Sequence, residues 1–190
     1  MAVNLFILDS DPVKAAQLQC DKHVVKMIVE SAQMLSTVHR MLDGVETRVP
    51  SKSGKTMSKA WTLPDEREDT FYRAVHMHHP CTIWTAQSNN NYNWHYVHFV
   101  ALCDEYTYRY GKVHSTDALL REALKQLPRN IPVGYKTPQP LAMKANPECI
   151  DYNDIVGSYR KFYQTKQARF KMAWTKRPVP EWFCINKLVA

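Results

Sequence analysis

Glycine is scarce in this sequence, at 5 of 190 residues. That scarcity argues against a Gly-rich phosphate loop and leans the fold toward helices. No apolar run approaches the ~20 residues of a bilayer span, so a helical membrane protein is not expected. No Cys-x-x-Cys pair occurs. Cys20, Cys81, Cys103, Cys149 and Cys184 are odd in number and scattered, which is the usage of a reducing cytoplasm with thiols packed as small apolar groups. The apolar opening, Met1 to Leu8, lacks a basic flank and runs into Asp9 and Asp11, so no signal peptide is expected. Neither H-E-x-x-H nor an acid or cysteine partner at a recognised ligand spacing accompanies His76-Met-His-His79. No metal and no cofactor are therefore assigned.

What is present is a globular composition, 45% hydrophobic and 23% charged, in a chain long enough to bury roughly 70% of its unfolded surface. One domain over 1–190 is expected. Lys and Arg number 25 against 18 Asp and Glu, for a net charge of +7. That excess favours a polyanionic partner, nucleic acid being the usual one, and no membrane.

The pattern along the chain predicts an all-α fold. Residues 1–9 form a short extended arm. Asp11 and Pro12 start a helix from about Val13 to Leu42, with room for one break, that stops at Asp43-Gly44. Residues 45–60 lack periodicity and read as a mobile basic loop. An acidic first turn at Pro64–Glu68 predicts a helix to about His78. A long helix over Thr82–Tyr110, a short one over Asp117–Gln126, a Pro-rich crossover over Ile131–Pro147 and a last helix over Asp151–Lys176 complete the pattern. Residues 184–190 read as a tail.

Four segments carry candidate chemistry. At 100° per residue, Gln19, Lys22, His23, Lys26, Glu30, Gln33, Thr37 and Arg40 fall in one stripe of the first long helix. A line of ammonium, imidazole, carboxylate, amide and guanidinium groups suits phosphate contact and proton movement. Asp21 and His39 project near the apolar side and are expected in a buried ion pair or hydrogen bond. The His76–His79 cluster reads as phosphate or base contacts, or as helix-end residues. Trp84, Ser88, Asn91, His95 and His98 share a face with Trp94 nearby, in a run whose four asparagines are poor helix formers. Such amides suit base edges or phosphates. Glu105 and Arg109 form a plain i,i+4 pair. Last, Arg160, Lys161, Lys166, Arg169, Lys171, Lys176 and Arg177 are interleaved with aromatics, and no acid lies between Asp154 and Glu181. Basic residues mixed with rings suit a phosphate-tracking surface.

The strings Cys20-Asp-Lys-His-Val-Val-Lys-Met27, Glu30-Ser-Ala-Gln-Met-Leu35, Tyr106-Thr-Tyr-Arg-Tyr-Gly111 and Pro178-Val-Pro-Glu-Trp-Phe183 resemble an uncharacterised protein family of tailed bacteriophages, especially marine ones. The resemblance covers most of the chain. It implies the cytoplasm of an infected bacterial host and carries no activity. In layout, Asn4–Leu8 followed by a helix with Gln17, Lys22 and His23, later helices and a basic aromatic C-terminus is similar to the phage pyrimidine-dimer DNA glycosylases. That likeness implies a small basic all-α enzyme that flips a nucleotide of DNA. It also implies attack on sugar C1′ by an N-terminal amine, here Ala2 after loss of Met1, assisted by a helical glutamate. Lys22-His-Val-Val25 stands where that glutamate would fall, and Glu30 lies about two turns further on.

Three functions are expected in consequence. The first is an enzyme acting on a DNA base, a glycosylase/lyase or a base-modifying transferase. Ala2, Lys22 or Lys26 would supply the amine, and Glu30 or His23 would move protons. Arg40, Arg109 and the C-terminal cations would hold phosphates, and Trp84 or Trp94 would stack a flipped base. The second is a non-catalytic DNA- or RNA-binding protein acting on a host process, with DNA the more expected partner. The third is a small-molecule nucleotide enzyme.

Overall fold

The computed structural model describes residues 3–51 and 53–185. Asp11 starts the first helix as its sequence suggests: its carboxylate accepts from Val13 N at 2.8 Å, with Pro12 at the first turn. This helix, α1 (Pro12–Gln17), ends after six residues. Beyond Leu18, Gln19 and Cys20, α2 (Asp21–Asp43) begins. The break is fixed from outside, because Cys20 N donates to the Tyr163 hydroxyl and Asp21 N to Ala173 O. Helix α2 stops at Gly44, where a Cβ would meet Arg40 O at 2.5 Å, so only glycine lets the chain turn away there.

A β-hairpin after Gly44 overturns the expected all-α fold. Strands β1 (Val45–Pro50) and β2 (Met57–Thr62) pair antiparallel, with Val45 opposite Thr62 and Pro50 opposite Met57. They occupy the segment expected to be a mobile loop. Both faces of this hairpin are largely exposed, so no apolar alternation marks it in the sequence. Its ladder hydrogen bonds and the Lys59–Glu46 ion pair (2.8 Å) hold it instead.

The helix expected to reach His78 is a single turn, α3 (Arg67–Thr70). Arg40 explains the stop. Its guanidinium takes the carbonyls of Phe71 (2.9 Å) and Tyr72 (2.8 Å), along with Trp61 O at 2.8 Å. Thr37 Oγ1 likewise pairs with both the N–H and the carbonyl of Val75. Groups that a helix would use internally are thus spent on α2.

The expected Thr82–Tyr110 helix is split into α4 (Pro80–Ala86) and α5 (Asn89–Tyr110). His79 Nδ1 caps α4, Ser88 Oγ caps α5 by accepting from Asn91 N, and Gly111 ends α5 with φ +67°. Helix α6 (Ser115–Lys125) comes next, capped by His114. The Pro-rich crossover is irregular, as its composition suggests. Helix α7 (Ile155–Gln164), capped by Asp154, is the last α-helix among the described residues. A 3-10 turn, Thr165–Ala168, then replaces the helix expected to Lys176. Thr165 Oγ1 takes Phe162 O at 2.7 Å, and the chain leaves the helix to return along α2.

The core gathers α2, α4, α5 and α7 around the N-terminal segment. Val3, Leu5, Phe6, Ile7 and Leu8 are all buried. The expected arm is therefore central to the core.

A candidate anion and ring-binding cleft

The extended segment holding Asn4 and Phe6, the first turns of α2 and the end of α7 enclose a cleft of about 340 Å3. Its lining brings together Lys22, His23 and Lys26 from α2 with Lys166 and Arg169 from the C-terminal segment. Phe6, Phe162 and Phe170 supply its apolar wall, and no Asp or Glu is among the lining residues. Four permanent or readily protonated cations and three phenyl rings thus share one hollow. The size lies at the low end of ligand pockets.

The cations are arranged on the rings. Lys166 Nζ stands 3.4 Å from the Phe162 ring centroid, and Lys22 Nζ stands 4.7 Å from that of Phe170. Both distances are cation–π contacts. Lys26 pairs with Glu30 at 2.5 Å, which keeps Glu30 just outside the lining.

His23 is held neutral. Burial, followed by the charges of Lys26, Lys166 and Lys22, pushes its pKa down to about 3. The Tyr163 hydroxyl accepts from Cys20 N at 2.9 Å and shares a hydrogen bond with His23 Nδ1 at 2.8 Å. The imidazole stacks on Phe6, with centroids 4.7 Å apart and planes at 25°. Phe6 itself has φ +50°, a left-handed conformation that costs a non-glycine residue roughly 1–2 kcal/mol. A strained residue that lines a cleft is a mark of functional sites.

Lys166 is also perturbed. Burial, with Arg169 and then Lys26 nearby, lowers its pKa to about 8, against an opposing pull from Cys149.

Most other residues singled out from the sequence lie elsewhere. Arg40 is 2% exposed and bound to carbonyls and to Glu68. Gln33 is half-buried further along α2, outside the cleft lining. Trp84 and Trp94 are buried, and their indole N–H groups donate to Thr137 O and Ser10 O; no base can stack there without opening the core. Ser88 donates to Tyr135 O. Asn91 binds Trp84 O and both the N–H and the hydroxyl of Thr137. The asparagine amides are used, as their cost suggested, but on the Pro-rich crossover. His95 donates to Thr85 Oγ1, which itself donates to Cys81 O. His98 receives Gln19 Nε2 and donates to Pro12 O.

Arg109 is buried against Glu105, Asp21 and Gln17 O. Asp21 is therefore in an ion pair, and His39 lies between Tyr92 and Arg67, both the structural roles expected. Arg177 holds Glu105, and Lys176 donates to Tyr108 O. Arg160 donates to Leu8 O and stacks on Trp182 at 5.4 Å. Lys161 and Arg169 are exposed. The Ala2 amine lies outside the described residues.

Sequence reasoning placed Lys166 only among general phosphate contacts, and it missed Phe6, Phe162 and Phe170 as a wall. The available signal was the i,i+4 spacing of Phe162, Lys166 and Phe170. A larger groove of about 510 Å3 includes Asp9, Lys14, Arg160, Arg177 and Glu181. Its carboxylates, Asp9 and Glu181, are part of the lining itself, whereas none lines the cleft. No helix among the described residues is long and apolar enough to cross a membrane, and no cluster of three metal-ligating side chains occurs among them. Comparison with family models, curated proteins and solved structures finds no match.

Proposed function

We propose that the protein is a nucleic-acid enzyme of an infected bacterium's cytoplasm that takes one nucleotide of DNA into this cleft and acts on its base or sugar. The carrying observation is the lining itself: four cationic side chains and three phenyl rings with no carboxylate. Cations hold phosphate, and every base has a face that stacks on a ring. A single unstacked nucleotide presents both features together. Neutral His23, stacked on Phe6, adds a planar ring to the wall, and Lys166 adds an amine whose pKa is lowered to about 8. A small-molecule nucleotide enzyme is the second reading, supported by a hollow of about 340 Å3, within the range of small-molecule pockets.

Fluorescence anisotropy with a single-stranded DNA oligonucleotide across a salt series tests the first reading. Each phosphate contact contributes about 0.7 to the slope of log affinity against log salt. The double variant Lys22→Ala/Lys26→Ala is expected to lose about 1.4 of that slope. A slope equal to wild type rejects the cleft as the nucleic-acid site. Chromatography of nucleosides from DNA incubated with the protein is expected to show a released base or an altered nucleoside.

A further inference from the structure

We propose that the β1–β2 hairpin is a duplex-DNA docking element that lies in the major groove with its Arg48–Lys59 face toward the base edges. The observations behind it are separate from the cleft. The ribbon leaves the far end of α2, beyond Gly44, whereas the cleft is built on the first turns of that helix.

None of the described residues from 45 to 62 is buried, so the ribbon adds nothing to the core. A two-stranded hairpin without a core is marginal in water. This one is held at its root, where the buried Arg40 guanidinium donates to Trp61 O at 2.8 Å. The molecule therefore fixes to its body a ribbon that its packing does not need.

The charges on the ribbon point to a polyanion. The register sets Arg48 directly opposite Lys59, and like charges opposed across a ladder destabilise it. Glu46, diagonal to Lys59, pairs with that lysine at 2.8 Å. Arg48 is exposed and has no ion pair among the described residues. Lys55, exposed near the turn, adds a third cation, and Glu46 is the one acid over residues 45–62. An arrangement that is unfavourable in the free protein and unbalanced by acids is complementary to a phosphate backbone.

Shape selects among polyanions. Six residues per strand, at about 3.4 Å each, make a ribbon roughly 20 Å long with its strands about 4.8 Å apart. The major groove of B-form DNA, about 12 Å wide, admits a two-stranded ribbon, and guanine O6 and N7 accept there from Arg or Lys. Duplex RNA has a deep, narrow major groove that side chains do not read.

Fluorescence anisotropy at one fixed salt concentration, with a short DNA duplex, one of its strands alone and the RNA duplex of the same sequence, tests the proposal. Arg48→Glu sets a carboxylate opposite Lys59, a favourable cross-strand pair. Its melting temperature should equal or exceed that of wild type, while its affinity for duplex DNA should fall about tenfold, as the loss of one base-edge contact implies. Arg48→Gln/Lys59→Gln, which removes both charges, should lose at least as much. Dimethyl sulfate attack on guanine N7, which lies in the major groove, should be blocked by the wild-type protein and by neither variant. Wild-type duplex affinity in the glutamine variant overturns the proposal, whatever Arg48→Glu does. Equal affinity for the RNA duplex, or protection of adenine N3 in the minor groove in place of guanine N7, also overturns it. The ribbon and the cleft fail separately. Duplex binding that the ribbon variants weaken and Lys22→Ala/Lys26→Ala leaves intact retains the ribbon, whether or not the cleft takes single strands. A single-strand salt slope that depends on Lys22 and Lys26, with duplex affinity unchanged in the ribbon variants, rejects the ribbon alone.

Discussion

Arg40 and Arg109 both occur on helix faces that read as phosphate-binding, and both are buried among fixed acceptors. Arg109 joins Asp21 (2.8 Å), Glu105 (2.7 Å) and Gln17 O (3.0 Å). Asp21 also accepts from Thr175 N and Oγ1, so this cluster closes the C-terminal segment onto α2. Breaking a buried ion pair from one side leaves an uncompensated charge and costs about 3–5 kcal/mol. Arg109→Met is therefore expected to lower the urea midpoint by a corresponding amount, whereas exposed Lys161→Ala should shift it by less than about 0.5 kcal/mol. Equal midpoints for the two variants would show that Arg109 is not a structural node. The polar stripe of α2 was legible from its 100° spacing, but not which of its members met solvent. Lys22, His23 and Lys26 open on a cleft because Phe6 and Lys166 stand across from them. Arg40 does not, because residues 61–72 bring carbonyls to it.

The start at Asp11 was legible: a short acceptor side chain precedes a helical run and caps it. Ser88 caps α5 in the same way, but it falls inside the helix expected over Thr82–Tyr110. Loss of such a cap costs about 1 kcal/mol. Ser88→Ala also loses the bond to Tyr135 O at 3.1 Å, so thermal melting should register a destabilisation of about 1–2 kcal/mol. A melting curve identical to wild type would mean that α4 and α5 are joined without this cap. The ends of α2, α5 and α6 were legible as well, whereas the α3, α4 and α7 ends and the hairpin were hidden. The α3, α4 and α7 ends are set by hydrogen bonds such as Arg40 to Phe71 O and Asn91 to Trp84 O, and local pattern does not encode the Arg40 contact. The β1–β2 ladder has two wet faces, so it leaves no apolar alternation to read.

Across the whole molecule, burial keeps several imidazoles uncharged. His23 and His39 are pushed down to about 3 and His98 to about 4. In the unfolded chain a histidine titrates near 6.5. The unfolded state therefore binds protons first as pH falls. This contribution to stability is complete above about 6.5 and is lost progressively as pH drops toward 4, on the order of several kcal/mol in total. The melting temperature should fall steadily between those limits; a flat profile would show these imidazoles charged in the folded protein.

By itself, the sequence determined the cationic excess, the helix-rich composition, the capped start at Asp11, the stops at Gly44 and Gly111, and the grouping of Lys22, His23 and Lys26 on one face. These are properties of composition and short-range spacing, which act within a turn or two of chain. Only the tertiary structure decided that Trp84, Asn91, His95 and Arg109 would be internal, that 45–62 would pair as a hairpin, and that Lys166 would lie on a phenyl ring facing α2. Trp84, Asn91 and Arg109 are fixed by Thr137 and Asp21, well removed along the chain, whereas the hairpin and the Lys166–Phe162 contact are local but carry no apolar pattern to read.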